Sequence, residues 1–203
     1  WRVSEITYEV PIHFERSMEN GLDPAHNEFV HPTHGFSGEN AEYKVNNLRL
    51  VDEDSEWGFG FFSKFNSPEM KKKSVMSEFK TAKSDREAGS GNTGPNHLWT
   101  IIRFSEKAEF GQYMYEAPID ENNTKIYLIN MRNMALDPSA DDDIVKRNWS
   151  VIQQDIVVLD ELHPVVTPET NTKEFMVPAD KVILMYRDIL KVWETKGWRI
   201  DTA

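Results

Sequence analysis

At 203 residues, with 39% hydrophobic and 11% aromatic content, the chain has the size and composition of one large globular domain with a sizeable core. A formal net charge of −11 argues against a nucleic-acid partner, which needs a basic face, and no apolar run approaches the roughly 20 residues of a membrane span. The absence of cysteine excludes disulfides, thiolate zinc sites, cysteine nucleophiles and cysteine-ligated iron–sulfur clusters on this chain, so any metal must be held by His, Asp and Glu.

Ile6 to Phe14 predicts a strand leading into Asp23-Pro24-Ala25-His26-Asn27-Glu28-Phe29-Val30-His31-Pro32. Asp23 is a good N-cap, and Pro24 suits the first helical position, where no backbone N–H is needed. Pro32 disfavours helical backbone at His31, so the spacing predicts about two turns of helix ending near Val30. His26 and His31 are five residues apart and would face different ways on a regular helix. A break before His31 lets both imidazoles converge on one metal. The bland alternative is a capping or core histidine pair, with Asp23 as a cap and nothing more. A metal needs a third ligand from elsewhere in the chain.

His34 to Glu42 reads as a loop, followed by strands at Glu42–Val51, Trp57–Phe65 and Ser74–Thr81. The run Trp57-Gly58-Phe59-Gly60-Phe61-Phe62 suits a curved strand lining a cavity, or a strand bulged at its glycines. Lys83 to Pro95, polar and glycine-rich, reads as a mobile loop. Strands follow at His97–Phe104, Phe110–Ala117 and Thr124–Met134, the last two joined by a turn at Asp120-Glu121-Asn122-Asn123. Strands that precede the helices, rather than alternating with them, indicate an α+β fold with an antiparallel sheet.

From Ser139 the period changes, with Asp141, Asp142 and Asp143 near the positive end of a helix dipole. Val145, Trp149, Ile152, Ile156 and Leu159 form an apolar stripe, widened by Val151, Val158 and Leu162. Asp155 sits inside that widened face. A carboxylate there is costly unless it is paired, hydrogen-bonded or bound to a metal, so Asp155 is the candidate third ligand; a basic neighbour or solvent would satisfy it equally well. After the turn-rich link Thr167–Thr172, a final amphipathic helix runs from about Pro178 to Lys196, with Gly197 as its stop, and reads as scaffold.

Two histidines and one carboxylate with open coordination positions suit a non-haem Fe(II) that activates oxygen. A zinc hydrolase is a weaker match, because the chain has no His-Glu-x-x-His and no general-base glutamate placed by spacing. The 2-oxoglutarate oxygenases begin with His-x-Asp, whereas here both histidines precede the acid.

Asp23-x-x-His26-x4-His31, preceded by Glu19-Asn20 and followed far downstream by Gln154-Asp155, resembles the catalytic domain of Rieske non-haem iron oxygenases. The branch it is most similar to includes vanillate O-demethylase-like and pheophorbide a oxygenase-like proteins. Phe110-Gly111-Gln112-Tyr113, Pro118 to Thr124, Thr167-Pro168 to Lys173-Glu174, Pro178-Ala179-Asp180, Tyr186-Arg187 and Trp193 to Trp198 carry the resemblance over nearly the whole chain. It implies a helix-grip, START-like α+β fold: a curved antiparallel sheet around a pocket, closed by long C-terminal helices. It implies that His26, His31 and Asp155 bind Fe(II). Asp23 would carry electron transfer through a hydrogen bond to a ligand histidine. The partners implied are O2, an apolar, cyclic or aromatic small-molecule substrate, a Rieske domain with its reductase, and a homotrimeric assembly. The rival is a hydrophobic-ligand-binding START-like module without catalysis. Residues 1–203 are expected to form a single catalytic domain. The family's [2Fe–2S] cluster needs two cysteines and two histidines, so it is expected either on an N-terminal domain of a longer protein, which the Trp1 start favours, or on a separate chain. A cytoplasmic location, or an organelle stroma in a photosynthetic eukaryote, is expected.

Overall fold

In the computed structural model, which describes residues 1–31, 47–65 and 86–198, the period-2 pattern at the N-terminus becomes strand β1 (Arg2–Val10). Ile6, Tyr8 and Val10 turn inward, while Val3, Glu5, Thr7 and Glu9 face solvent. Six more strands follow: β2 (Leu48–Val51), β3 (Gly60–Phe65), β4 (Arg86–Asn92), β5 (His97–Ser105), β6 (Ala108–Pro118) and β7 (Thr124–Arg132). They form one curved sheet in the order β1-β7-β6-β5-β4-β3-β2, antiparallel at every neighbouring pair. With helices α1 (Phe14–Leu22), α2 (His26–Val30), α3 (Asp141–Leu159) and α4 (Lys181–Thr195), this is the α+β architecture expected. None of the described helices is long and apolar enough to cross a membrane.

The strand expected at Ile6–Phe14 ends at Val10, and Phe14 instead opens α1. Phe14, Met18 and Leu22 recur every fourth residue and share a face, which is buried against Leu98 of β5 and Val182, Tyr186 and Leu190 of α4. The approach to the sheet is close: a Cβ on Gly21 would stand 2.1 Å from Leu98 Cδ2. The opposite flank of α1 is ionic. Arg16 and Arg187 both bind Glu19 and Glu174, and Arg16, Glu19 and Arg187 are all buried.

Lys83–Pro95 was expected to be a loop, yet Arg86–Asn92 is strand β4. Its glycines give up their side-chain space to aromatic rings from neighbouring strands. A Cβ on Gly91 or Gly60 would lie 2.2 or 2.4 Å from Trp99 Cζ2, and one on Gly89 would lie 2.5 Å from Phe62 Cδ1. Rings laid across a strand that lacks side chains restore the packing that glycine removes. Of the aromatic run, Gly60 is a regular ladder position paired with Gly91, whereas Gly58 precedes β3 with φ +149°, where an added Cβ would stand 2.0 Å from the Asn92 carbonyl oxygen. Of the expected Glu42–Val51 strand, Leu48–Val51 is observed; residues 42–46, the His34 loop and the Ser74–Thr81 strand lie outside the described residues.

Helix α3 begins two residues later than its expected start at Ser139, after a short 3-10 turn over Pro138–Ala140. Asp137 Oδ1 accepts from Ser139 N (2.9 Å) and Ser139 Oγ (2.7 Å), capping that turn. Asp141 accepts from Arg2 and from the fully buried Arg132, which fixes the helix start to the ends of β1 and β7. These guanidiniums hold the Asp141 carboxyl well below the ordinary aspartate range. Val151, Ile152, Asp155, Ile156 and Leu159 face the concave side of the sheet, as the stripe implied. Val158, placed on that face from sequence, is exposed, and Trp149 packs edge-on against Tyr8 at 5.6 Å. At the end of α4, Gly197 takes φ +82° and its N–H donates to the Glu194 carbonyl, as its position after the helix requires.

Candidate metal centre

The sheet and helices enclose a cavity of about 280 Å³. Its walls are mainly apolar: Val10, Ile126 and Leu128 on one side, Phe61, Leu98 and Ile102 on the other, with Ile152 and Ile156 of α3 above. His26, His31 and Asp155 meet on this wall. One potential ligand atom from each lies within 4.8 Å of the other two. Helix α2 ends at Val30, and His31 adopts φ −111° and ψ 75°, outside the helical region. That break brings the two rings, five residues apart in sequence, to a centroid separation of 5.2 Å, nearly perpendicular to each other.

Each of the three side chains is oriented by a neighbour. His26 Nδ1 donates to the backbone carbonyl of Asp23 at 2.6 Å, because a carbonyl only accepts. Its Nε2 therefore carries the lone pair, and Asn27 Nδ2 stands 3.3 Å from it. His31 Nδ1 faces Gln154 Oε1 at 3.1 Å, which leaves Nε2 of His31 3.2 Å from Asp155 Oδ1. Asn20 of α1 donates from Nδ2 to the same Oδ1 at 3.0 Å. Two ligand atoms about 2.1 Å from an ion and at right angles to each other are about 3.0 Å apart, which the 3.2 Å between His31 Nε2 and Asp155 Oδ1 approaches; with His26 the three form a group of the type that could hold a metal ion. Burial pushes the His26 imidazole below its ordinary value, against the pull of Asp155 and Asp23, and a neutral imidazole is the form that ligates.

Asp23 departs from expectation as a cap. Its carboxylate closes a turn by accepting from Ala25 N at 2.7 Å, but α2 starts only at His26, with Ala25 as the cap residue. The contact with His26 runs through the Asp23 main-chain oxygen rather than the carboxylate. Burial raises the Asp23 carboxyl above the ordinary aspartate value, partly offset by His26 and the Ala25 amide. Of the other histidines, His13 holds the Glu121 carbonyl at 2.8 Å and His97 stacks on Tyr115 at 4.3 Å; neither lines the cavity.

Among the polar residues of the cavity wall to which the sequence assigned no role are Arg147, Gln112 and Glu116. Arg147 lies eight residues before Asp155, about 12 Å along α3, at the far end of the helix's cavity face. Gln112 donates to Asn130 Oδ1 at 3.2 Å. Glu116, only 1% exposed, accepts from Ser17 Oγ at 2.9 Å. The signal for Gln112 and Glu116 was the period-2 phase of β6, which they share with Phe110 and Met114.

Residues 10–196 match the family model of the vanillate O-demethylase oxygenase C-terminal domain. The chain belongs to this family. It is a Rieske oxygenase-type catalytic domain, as the resemblance implied. Among solved structures it is similar to NdmA of Pseudomonas putida CBB5 with caffeine, at TM-score 0.75 and 22% identity, covering 97% of this chain and 53% of that one. Dicamba monooxygenase bound to dicamba superposes at TM-score 0.70 with 14% identity, over 98% of this chain and 60% of that one. A quaternary ammonium Rieske monooxygenase superposes at TM-score 0.61 with 13% identity, over 95% and 50%. The chain thus spans about half to three-fifths of these solved proteins. No curated protein matches it.

Proposed function

We propose that this chain is the catalytic domain of a mononuclear non-haem iron oxygenase that hydroxylates or oxidatively demethylates a compact, largely apolar ring compound. The observation that carries this reading is the convergence of His26, His31 and Asp155 on the wall of an apolar cavity of about 280 Å³ in a member of this family. His26 Nε2, His31 Nε2 and an Asp155 oxygen would hold Fe(II), which when bound supplies O2 activation at its open positions. Gln154, Asn20 and the Asp23 carbonyl orient those three ligands, a contribution that conserves ring tautomer and carboxylate direction. The apolar walls exclude water and seat the substrate. The cavity volume suits one or two fused rings, in keeping with the caffeine and dicamba held by the structural neighbours.

Electrons would come from a Rieske [2Fe–2S] cluster and its reductase. These 203 residues have no cysteine to ligate that cluster, so it belongs to another segment or chain, and a homotrimer would bring it beside Asp23. Asp23 contributes by holding His26 through its main-chain oxygen.

The test is anaerobic loading with Fe(II), removal of loose metal, and metal analysis of wild type, His26→Ala and Asp155→Ala. About one iron per chain in wild type, lost in both variants, is the expected result. Wild type that retains no iron would refute the reading and leave a ligand-binding module, and zinc retained in preference to iron would point to a hydrolase.

A further inference from the structure

Among the described residues, Glu116 is a carboxyl group without a counter-ion. It sits in β6, is 1% exposed, lines the cavity, and has one hydrogen-bond partner, the Ser17 hydroxyl on Oε1. Its other oxygen, Oε2, has no partner among the described residues. An ionised carboxylate in this position would lack any compensating charge, so the neutral acid is favoured; burial raises its pKa to about 8, although the Ser17 hydroxyl opposes the shift. A neutral carboxyl has one O–H to donate. In the arrangement in which Ser17 Oγ donates to Oε1, the proton of the neutral acid sits on Oε2, which has no acceptor among the described residues.

The position of this group relative to the triad follows from α1. Ser17 holds Glu116 and Asn20 holds Asp155, and the two residues are three apart on the helix, so they are neighbours on one face. Tyr8 lines the same cavity, and both Glu116 and Asp155 lie close enough to raise the pKa of its phenol.

We infer that Glu116 is a substrate-recognition residue: a neutral carboxyl that donates from Oε2 to a carbonyl or ether oxygen on an otherwise apolar ring compound and so fixes which edge of the ring faces His26, His31 and Asp155. The inference deepens the oxygenase reading and rests on it for the word substrate. Its test is binding alone, which does not depend on iron or turnover.

The probes are 1-indanone, indane and protonated 1-aminoindane, which share a ring frame and differ in the group presented. Their dissociation constants are measured by calorimetry against wild type, Glu116→Gln and Glu116→Leu. Wild type should bind 1-indanone about tenfold more tightly than indane, the effect of one net hydrogen bond in a buried site. Glu116→Gln keeps a donor and should keep the preference, whereas Glu116→Leu should abolish it by weakening 1-indanone and sparing indane. The infrared carbonyl band of bound 1-indanone should lie lower in wild type than in Glu116→Leu. A preference that survives in Glu116→Leu overturns the inference, as does tighter binding of 1-aminoindane than of the ketone. If iron fails to bind but the ketone preference tracks Glu116, the recognition role stands and only the oxygenase reading falls.

Discussion

Glu19 joins α1 to the C-terminal helix, and its removal gives a quantitative test of how the site is supported. Its carboxylate accepts from Arg187 at 2.6 and 3.1 Å and from Arg16 at 2.8 Å, all within buried surroundings. In Glu19→Ala both guanidiniums stay buried and share the remaining acid, Glu174, with 2.9 Å from Arg16 and 2.7 Å from Arg187. Breaking a buried pair costs roughly 3–5 kcal/mol, because the residual charge is left uncompensated. Arg16 also reaches the Pro164 carbonyl at 2.7 Å and Arg187 reaches Asn171 at 3.2 Å, so the loss should fall at the lower end, about 3 kcal/mol. Urea unfolding followed by circular dichroism measures it directly. Glu19→Gln should lose nearly as much, since it preserves shape and removes charge. In the Glu19→Met, Arg187→Met double variant the two losses should be less than additive, with a coupling of about 1–3 kcal/mol. A loss below about 1 kcal/mol for Glu19→Ala would mean that solvent already screens the network, and the argument for a rigid α1 would fail.

Gln154→Leu removes the acceptor at His31 Nδ1 while leaving all three candidate ligands in place, and should weaken Fe(II) binding about 10–100-fold in a competition titration. Unchanged affinity would show that packing alone orients His31. Glu116 also predicts a pH dependence of stability. Its folded pKa of about 8 exceeds the unfolded value of 4.5, so the stability it contributes is complete below about pH 4.5 and is lost as the pH rises towards 8. The slope is at most about 1.4 kcal/mol per pH unit, and Tyr8 and Tyr186, which feel its charge, stay neutral throughout that window because burial raises both. Glu116→Gln removes the slope, so its stability relative to wild type should rise between about pH 5 and 8 in urea titrations; parallel curves would refute the raised value.

The grouping of His26, His31 and Asp155 was legible because it rests on local rules. Pro32 forces the helix to break beside His31, and a carboxylate amid Val151, Ile152 and Ile156 demands a partner. Helix α1 was hidden for the converse reason. Its buried face includes Arg16 and Glu19, which look solvent-facing until Glu174 and Arg187, more than 150 residues away, are brought to them. Strand β4 was hidden because its side-chain volume is supplied by Trp99 and Phe62 from other strands. Periodicity registers what a segment carries and is blind to what its neighbours lend it. The atom Asp23 uses toward His26 lies beyond the same reach: the bond runs to its main-chain oxygen, which no side-chain pattern registers.

These hidden elements carry the site. On α1, Glu19 anchors to α4, Met18 and Leu22 anchor to the core, Asn20 holds Asp155 and Ser17 holds Glu116. Two of the acids bordering the cavity thus take their orientation from a single helix of nine residues, which Glu19 ties to α4. The arrangement separates two demands that conflict in a buried polar site. Acids that must stay available to a metal or a ligand cannot also be saturated by protein partners, so each is given one neutral donor, an amide at Asp155 and a hydroxyl at Glu116. The full charge compensation is placed one residue away at Glu19, where arginine forks rigidify the helix without neutralising the cavity. Substituting a cation for Asn20 or Ser17 would pair the acids more strongly and remove the open valence on which binding depends.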